Sequence, residues 1–275
     1  SNLSAIEAAL EIDSFWMDYD APRDRPVIVM ATVRPDLDSI GAMAVLEIRI
    51  RSWTPEPEPY GLPEYYEFDG KTARRIRSVA NLDKFNRGGW PGKRNLPTVE
   101  NLWPEEEPPI EASELAAVAA CVSDFREPIK DRVEAMEEWL LRGEIPDGYR
   151  EKVMTERVEL VRALEDGDIK IIEGADSHIV VVKTTHRAAT VIGYMVAPVV
   201  VALNPEFRFQ GGDAHSKLTV CQFEADYVDL KAVALELSEF EDGWGGSPTI
   251  IGSPQGIASV LTIDQVVEVV ERHMR

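Results

Sequence analysis

Residues 31–44 read ATVRPDLDSIGAMA. They continue a β-rich run, RPVIVMATV (25–33), and lead into IGAMAVLEIRIRSW (40–53), whose apolar spacing is helical. A short apolar run bounded by turn residues suits a parallel strand buried on both faces, so the stretch predicts strand, loop and helix, the first half of a βαβ unit. In open parallel sheets, ligands bind just outside the carboxyl ends of the strands. The loop RPDLDS stands there, and its Asp36 and Asp38 are hard oxygen donors of the kind Mg2+ or Mn2+ takes. A plainer reading stays open beside it, because an Asp at a helix start accepts hydrogen bonds from the free N–H groups of the first turn.

Working outward, LSAIEAALEID (3–13) has a helical period, and the stretches TPEPEPYGLPE (54–64) and WPEEEPPIEAS (103–113), with Gly88, Gly89 and Gly92 between them, predict a loop-rich 54–110 with short strands and turns. ASELAAVAACVSDF (112–125) reads as a helix delivering Asp124 to a loop, IKDRVEAMEEWLLRG (129–143) as an amphipathic helix stopped by Gly143, and GYREKVMTERVELVRALEDGD (148–168) as a charged connecting helix. After Gly167 the character turns to β. A hairpin is expected in 169–185, a helix in 187–197, strands at 199–203 and 217–223, a helix at 228–240, and a helix at 262–274 opened by a Thr cap. The expected fold class is α/β: a parallel-sheet N-terminal domain (1–147), a helical linker (148–168) and a smaller C-terminal α/β domain with a mixed sheet (169–275).

Composition narrows the function classes. A hydrophobic fraction of 44% and a charged fraction of 28% are those of a globular chain, and the longest apolar run, GYMVAPVVVAL (193–203), is too short to span a bilayer. No secretory apolar segment opens the chain and its two cysteines, Cys121 and Cys221, sit in apolar surroundings, so a reducing cytoplasm is the expectation. A formal net charge of −20 repels duplex nucleic acid and anionic membranes alike. Against that field, eight of the 29 basic residues fall between Lys71 and Arg94, either as a solvated helix face or as an anion-facing segment.

Two more Asp-bearing segments lie in that region, YYEFDGK with Asp69 and VANLDKFNRGG with Asp83. With Asp36, Asp38 and Asp124 they make a set of the type a pair of divalent ions requires, since two close cations need several bridging and terminal carboxylates. Late in the chain, DGWGGSPTIIGSPQG (242–256) either joins a helix to a strand by a plain turn or exposes backbone N–H groups in a concave nest for an anion.

In order and approximate spacing these features resemble the DHH family of phosphoesterases with its C-terminal DHH-associated domain. VRPDLDSIGA keeps Pro35, Asp36, Asp38 and Gly41 of the family's first motif, AACVSDFREP is similar to its later Asp motif at Asp124, and GWGGSPTIIGS resembles its closing glycine motif at Gly245, Gly246, Pro248 and Gly252. The resemblance spans nearly the whole chain, with no motif intact. Val33 stands where the family has a metal-binding His, LDKFN where it has Asp-His-His, and Ser247 where the glycine motif has its His; no equivalent of the family's substrate-binding Arg is found around KLTVCQF (217–223). None of His178, His186, His215 and His273 falls in a catalytic motif.

The resemblance implies hydrolysis of a phosphodiester or phosphoanhydride by a water activated on Mn2+ or Mg2+. Asp36 and Asp38 would be catalytic, and Asp36, Asp38, Asp69, Asp83 and Asp124 would hold metal. Lys84, Arg87, Gly245, Gly246 and Ser247 would bind a small phosphorylated or nucleotide ligand. With three imidazoles missing, the carboxylates are left to hold one ion or none, and Lys84 offers an ammonium in place of a missing metal charge. Two rivals follow: an inactive nucleotide- or phosphate-binding protein on the same scaffold, and an acidic scaffold whose Asp loops are helix caps only. A homodimer is left open.

Overall fold

The computed structural model describes residues 4–10, 35–52, 68–85, 90–104, 112–174 and 178–275, with the backbone alone for 50–52 and 83–85. The chain divides into two compact units, Ser1–Phe85 with Glu106–Thr155, and Asn86–Glu105 with Glu156–Arg275. The second unit is about as large as the first rather than smaller, because it recruits residues 86–105 from the middle of the chain. Expected strand 25–33 lies outside the described residues, and the parallel N-terminal sheet with it.

The described part of the first unit is helical: α1 (Ala5–Leu10), α2 (Leu37–Ser52), α3 (Gly70–Phe85), α4 (Ala112–Val122), α5 (Ile129–Arg142) and the start of α6 (Tyr149–Glu165). Apolar residues at helical spacing build one core, with Ile40, Ala44 and Ile48 of α2 meeting Ile6 of α1, Ile76 and Val79 of α3, and Met136, Trp139 and Leu140 of α5. α3 corrects the loop-rich expectation for 54–110. Its Ile76, Val79 and Ala80 form a narrow buried stripe among exposed bases, a weak periodicity framed by Pro-rich sequence. α5 ends at Gly143 in the left-handed region (φ 77°), whose N–H bonds Trp139 O at 2.8 Å. There the Arg75 guanidinium donates to Leu140 O at 3.1 Å and faces Glu114 at 3.4 Å, a cation at the negative end of a helix.

The second unit is an α/β layered structure on one six-stranded mixed sheet, formed by β1 (Lys170–Glu173), β2 (Ile179–Lys183), β3 (Val199–Arg208), β4 (Ala214–Gln222), β5 (Gly245–Ser247) and β6 (Ile250–Gly252), in the order β1-β2-β3-β4-β6-β5. Only β2 and β3 pair in parallel, across the crossover helix α7 (Ala189–Tyr194); the other neighbours are antiparallel. Period-two alternation sorts the side chains. Ile179, Val181, Val199, Val201, Leu218 and Val220 pack under α8 (Leu230–Ser238) and α9 (Ile263–Arg272), while Val180, Val182, Val200 and Cys221 pack under α7 and Leu160 of α6. At Gly193 a Cβ would stand 2.5 Å from the Val200 methyls, so the absent side chain sets how closely α7 rests on β3.

The segment 90–104 belongs to this unit because it completes the end of α7. Trp90 Nε1 donates to Tyr194 O at 3.0 Å and Arg94 N to Met195 O at 2.8 Å, satisfying carbonyls that a helix end leaves open. Farther along, Arg157 donates to Leu102 O and lies 4.4 Å over the Trp103 ring.

α9 opens as expected from its cap. Thr262 and Gln265 form a reciprocal capping box, Gln265 N donating to Thr262 Oγ1 at 3.3 Å and Thr262 N to Gln265 Oε1 at 2.9 Å. Thr262→Ala is expected to cost about 1 kcal/mol, read as a lower urea midpoint with an unchanged denaturant slope.

Candidate functional site

The structure gives each described aspartate of the first unit a local partner. Asp36 precedes α2 as its N-cap, with Oδ1 accepting from Ser39 N at 2.9 Å. Asp69 does the same for α3, accepting from Lys71 N at 3.0 Å and Thr72 N at 2.7 Å, and those bonds, Thr72's first, hold its carboxyl below the ordinary carboxylate value. Asp38 is different. It lies inside the first turn of α2, 6% exposed, and reaches across to α1, where Oδ2 accepts from Ala5 N at 2.6 Å and Oδ1 from Ile6 N at 3.0 Å.

Asp124, after α4, is gripped by Arg126 through two guanidinium bonds of 2.8 and 2.5 Å and by the Tyr149 hydroxyl at 3.3 Å. The Arg126 bond is the main cause that sends its carboxyl far below the usual range. Asp83 falls in the last turn of α3, its side chain outside the described set, and so does that of Lys84; Arg87 lies outside the described residues altogether. Among the described residues no group of three or more His, Cys, Asp or Glu side chains is placed to hold a metal ion. Asp36 and Asp69 each cap a helix through one oxygen, Asp38 accepts from two amides of α1, and Asp124 is paired with Arg126.

Nor is the basic segment one patch. Lys71, Arg74 and Arg77 are exposed on α3, Arg75 serves the end of α5, and Lys93 pairs with Glu173 in the second unit at 2.6 Å. The histidines stay outside any shared site among the described contacts, with His273 against Glu236 at 2.7 Å and His186 Nδ1 accepting from Ala188 N at 3.1 Å.

In the second unit, three of the expected ligand residues are described. Gly245, Gly246 and Ser247 form β5, the outermost strand, turned through Pro248 and Thr249 onto β6. They are extended and paired, so the concave nest anticipated for them gives way to a hairpin wall. Gly246 is obligatory there, since a Cβ would sit 2.1 Å from Ile250 O. Gln222 fixes the turn from below, donating to Pro248 O at 2.7 Å and Val228 O at 3.0 Å while accepting from Val228 N at 2.8 Å.

Between this wall and α8 opens a cleft of about 580 Å³. Its apolar surface comes from Ala234, Leu235, Trp244 and Ile251; its charged groups are Lys231, Asp229 and Arg275, the last two 3.4 Å apart. Trp244 is anchored by Nε1 donating to Glu241 Oε2 at 2.9 Å, and Glu241 also holds Val260 N at 2.7 Å. Lys217, buried beneath Gly252, donates to Ser253 O and Pro254 O, and burial pulls its ammonium below the ordinary lysine value. Lys231, Arg275, Gln222 and Lys217 were not marked by the sequence. Lys231 and Arg275 lie in helical or terminal sequence with no motif around them, though a lysine and a glutamine inside the apolar run of β4 are a signal of buried polar work.

No protein-family model matches the sequence, and no curated protein matches it.

The Asp124 cluster gives a pH prediction. A carboxyl whose folded pKa lies below its unfolded value of about 3.9 adds stability above that value and loses it as the pH falls toward the folded one. Asp124→Asn is therefore expected to lower the urea midpoint at neutral pH, with a difference from wild type that shrinks steadily below pH ~4. A pH-independent difference would assign the effect to packing.

Proposed function

We propose that this chain is a phosphoesterase-like protein that binds a nucleotide or another small phosphorylated ligand in its second unit and does not hydrolyse it. The observation that carries the reading is the cleft between α8 and β5, where Lys231 and the Arg275–Asp229 pair stand beside a glycine wall in a chain of net charge −20. Cations gathered in a concave site of an acidic protein favour an anion of limited size, which local charge can hold against the long-range field. The volume lies within the range of small-molecule sites, and the apolar face opposite the cations would carry the uncharged part of the ligand.

Hydrolysis with Mn2+ or Mg2+ is the second reading, favoured by the order of DHH-like motifs along nearly the whole chain. The engagement of Asp36, Asp38, Asp69 and Asp124 by N–H groups weighs against it. An acidic scaffold is the third reading and is supported by the same caps, though it leaves the cleft without a role. A reducing cytoplasm fits the two buried free thiols, Cys121 and Cys221, and among the described residues no helix is long and apolar enough to cross a membrane.

Thermal unfolding with adenosine monophosphate and with inorganic phosphate tests the reading. A ligand at ~100 times its Kd is expected to add about 2.7 kcal/mol of stability. Lys231→Glu is expected to weaken that binding about tenfold or more by removing a charge-assisted contact. Manganese-dependent release of nitrophenol from bis-p-nitrophenyl phosphate, lost in the Asp36→Ala, Asp38→Ala double variant, would move the assignment to the enzyme.

A further inference from the structure

We infer that the loop resembling a metal motif is the folding keystone of the first unit, with Asp38 holding α1 where a phosphoesterase would hold a cation, and that this unit folds without divalent metal. The inference is independent of the ligand assigned to the second unit. Ala5 and Ile6 begin α1, and their N–H groups are among those that a helix start leaves without an internal partner. Asp38 supplies both acceptors from a neighbouring helix, in a setting where Ile6 is fully buried. At the opposite end of α1, Arg49 of the same α2 donates to Ala9 O at 3.2 Å and Leu10 O at 2.5 Å. One helix thus presents an anion to the positive end and a cation to the negative end of its neighbour, which fixes α1 in direction and register.

Gly41, between those two charges in sequence, lets the helices meet. A Cβ there would stand 2.7 Å from Ile6 Cδ1 and 3.3 Å from Met136 Cε. The contact is therefore built from side-chain loss at Gly41, apolar burial at Ile6 and opposite charges at the ends. A divalent ion drawing the Asp38 carboxylate away from α1 would leave the buried Ile6 N–H and the part-buried Ala5 N–H without this partner. Metal binding and α1 docking compete for the same carboxylate.

The test uses the full chain in EDTA and in millimolar MnCl2, comparing wild type, Asp38→Ala, Asp38→Asn and Arg49→Met by thermal unfolding. In EDTA, Asp38→Ala is expected to lower the melting midpoint by about 3–8 °C, Asp38→Asn by less because it keeps one acceptor oxygen, and Arg49→Met by an amount similar to Asp38→Asn. Wild type should melt at the same temperature with and without MnCl2. The inference fails if manganese raises the wild-type midpoint and both Asp38 variants lose that rise, or if Asp38→Asn and Arg49→Met both melt with wild type in EDTA. Should Asp38→Ala not fold, the graded losses in Asp38→Asn and Arg49→Met still decide the matter.

Discussion

The Asp38 carboxylate, set between α2 and the first amides of α1, is the constraint on which the first unit depends. A buried carboxylate is costly unless hydrogen-bonded, and helix-start amides are costly if buried without partners; brought together, each removes the other's penalty. That mutual satisfaction lets a helix of only six residues, far below the length at which helices persist alone in water, join a core with α2, α3 and α5. The same geometry bears on chemistry, because both Asp38 oxygens are already engaged by amides of α1 in a site only 6% exposed.

The second unit rests on a different device, a sheet with both faces covered and a glycine hairpin at one edge. Its polar residues are used as fasteners. Gln222 holds the hairpin turn, Glu241 holds Trp244 and the segment near Val260, and Lys217 holds the carbonyls after β6. Buried polar groups of this kind tolerate little rearrangement, since removing one partner leaves the others unpaired. The cleft beside α8 consequently has a wall and floor held by these bonds, with Lys231 on the helix side.

Much of the second unit was legible because alternation and caps are local signals: the 169–185 hairpin, the strand runs VVVAL and KLTVCQF, and Thr262 before α9 all have the character expected of them. The helix at 70–85 was not, since its three-residue buried stripe is diluted by Lys71, Arg74, Arg75 and Arg77, and Pro-rich neighbours suggest breakage. The recruitment of 90–104 to the second unit was equally hidden, because it depends on backbone carbonyls at the end of α7 that no residue pattern announces. At the candidate site, the glycines lie in the β5 wall of the cleft, whereas the aspartates carried two meanings at once. An Asp at a helix start reads alike as cap and as ligand, and the bond from Ala5 N to Asp38, remote in sequence, is not announced by any local pattern.

Amide hydrogen exchange at Ala5 and Ile6 examines that distinction where it is made. The account predicts that in metal-free wild-type protein both amides are protected together with the buried core of α2, and that Asp38→Ala releases them to rapid exchange. Free exchange of both amides in the wild type, or protection that appears only once manganese is added, would contradict it.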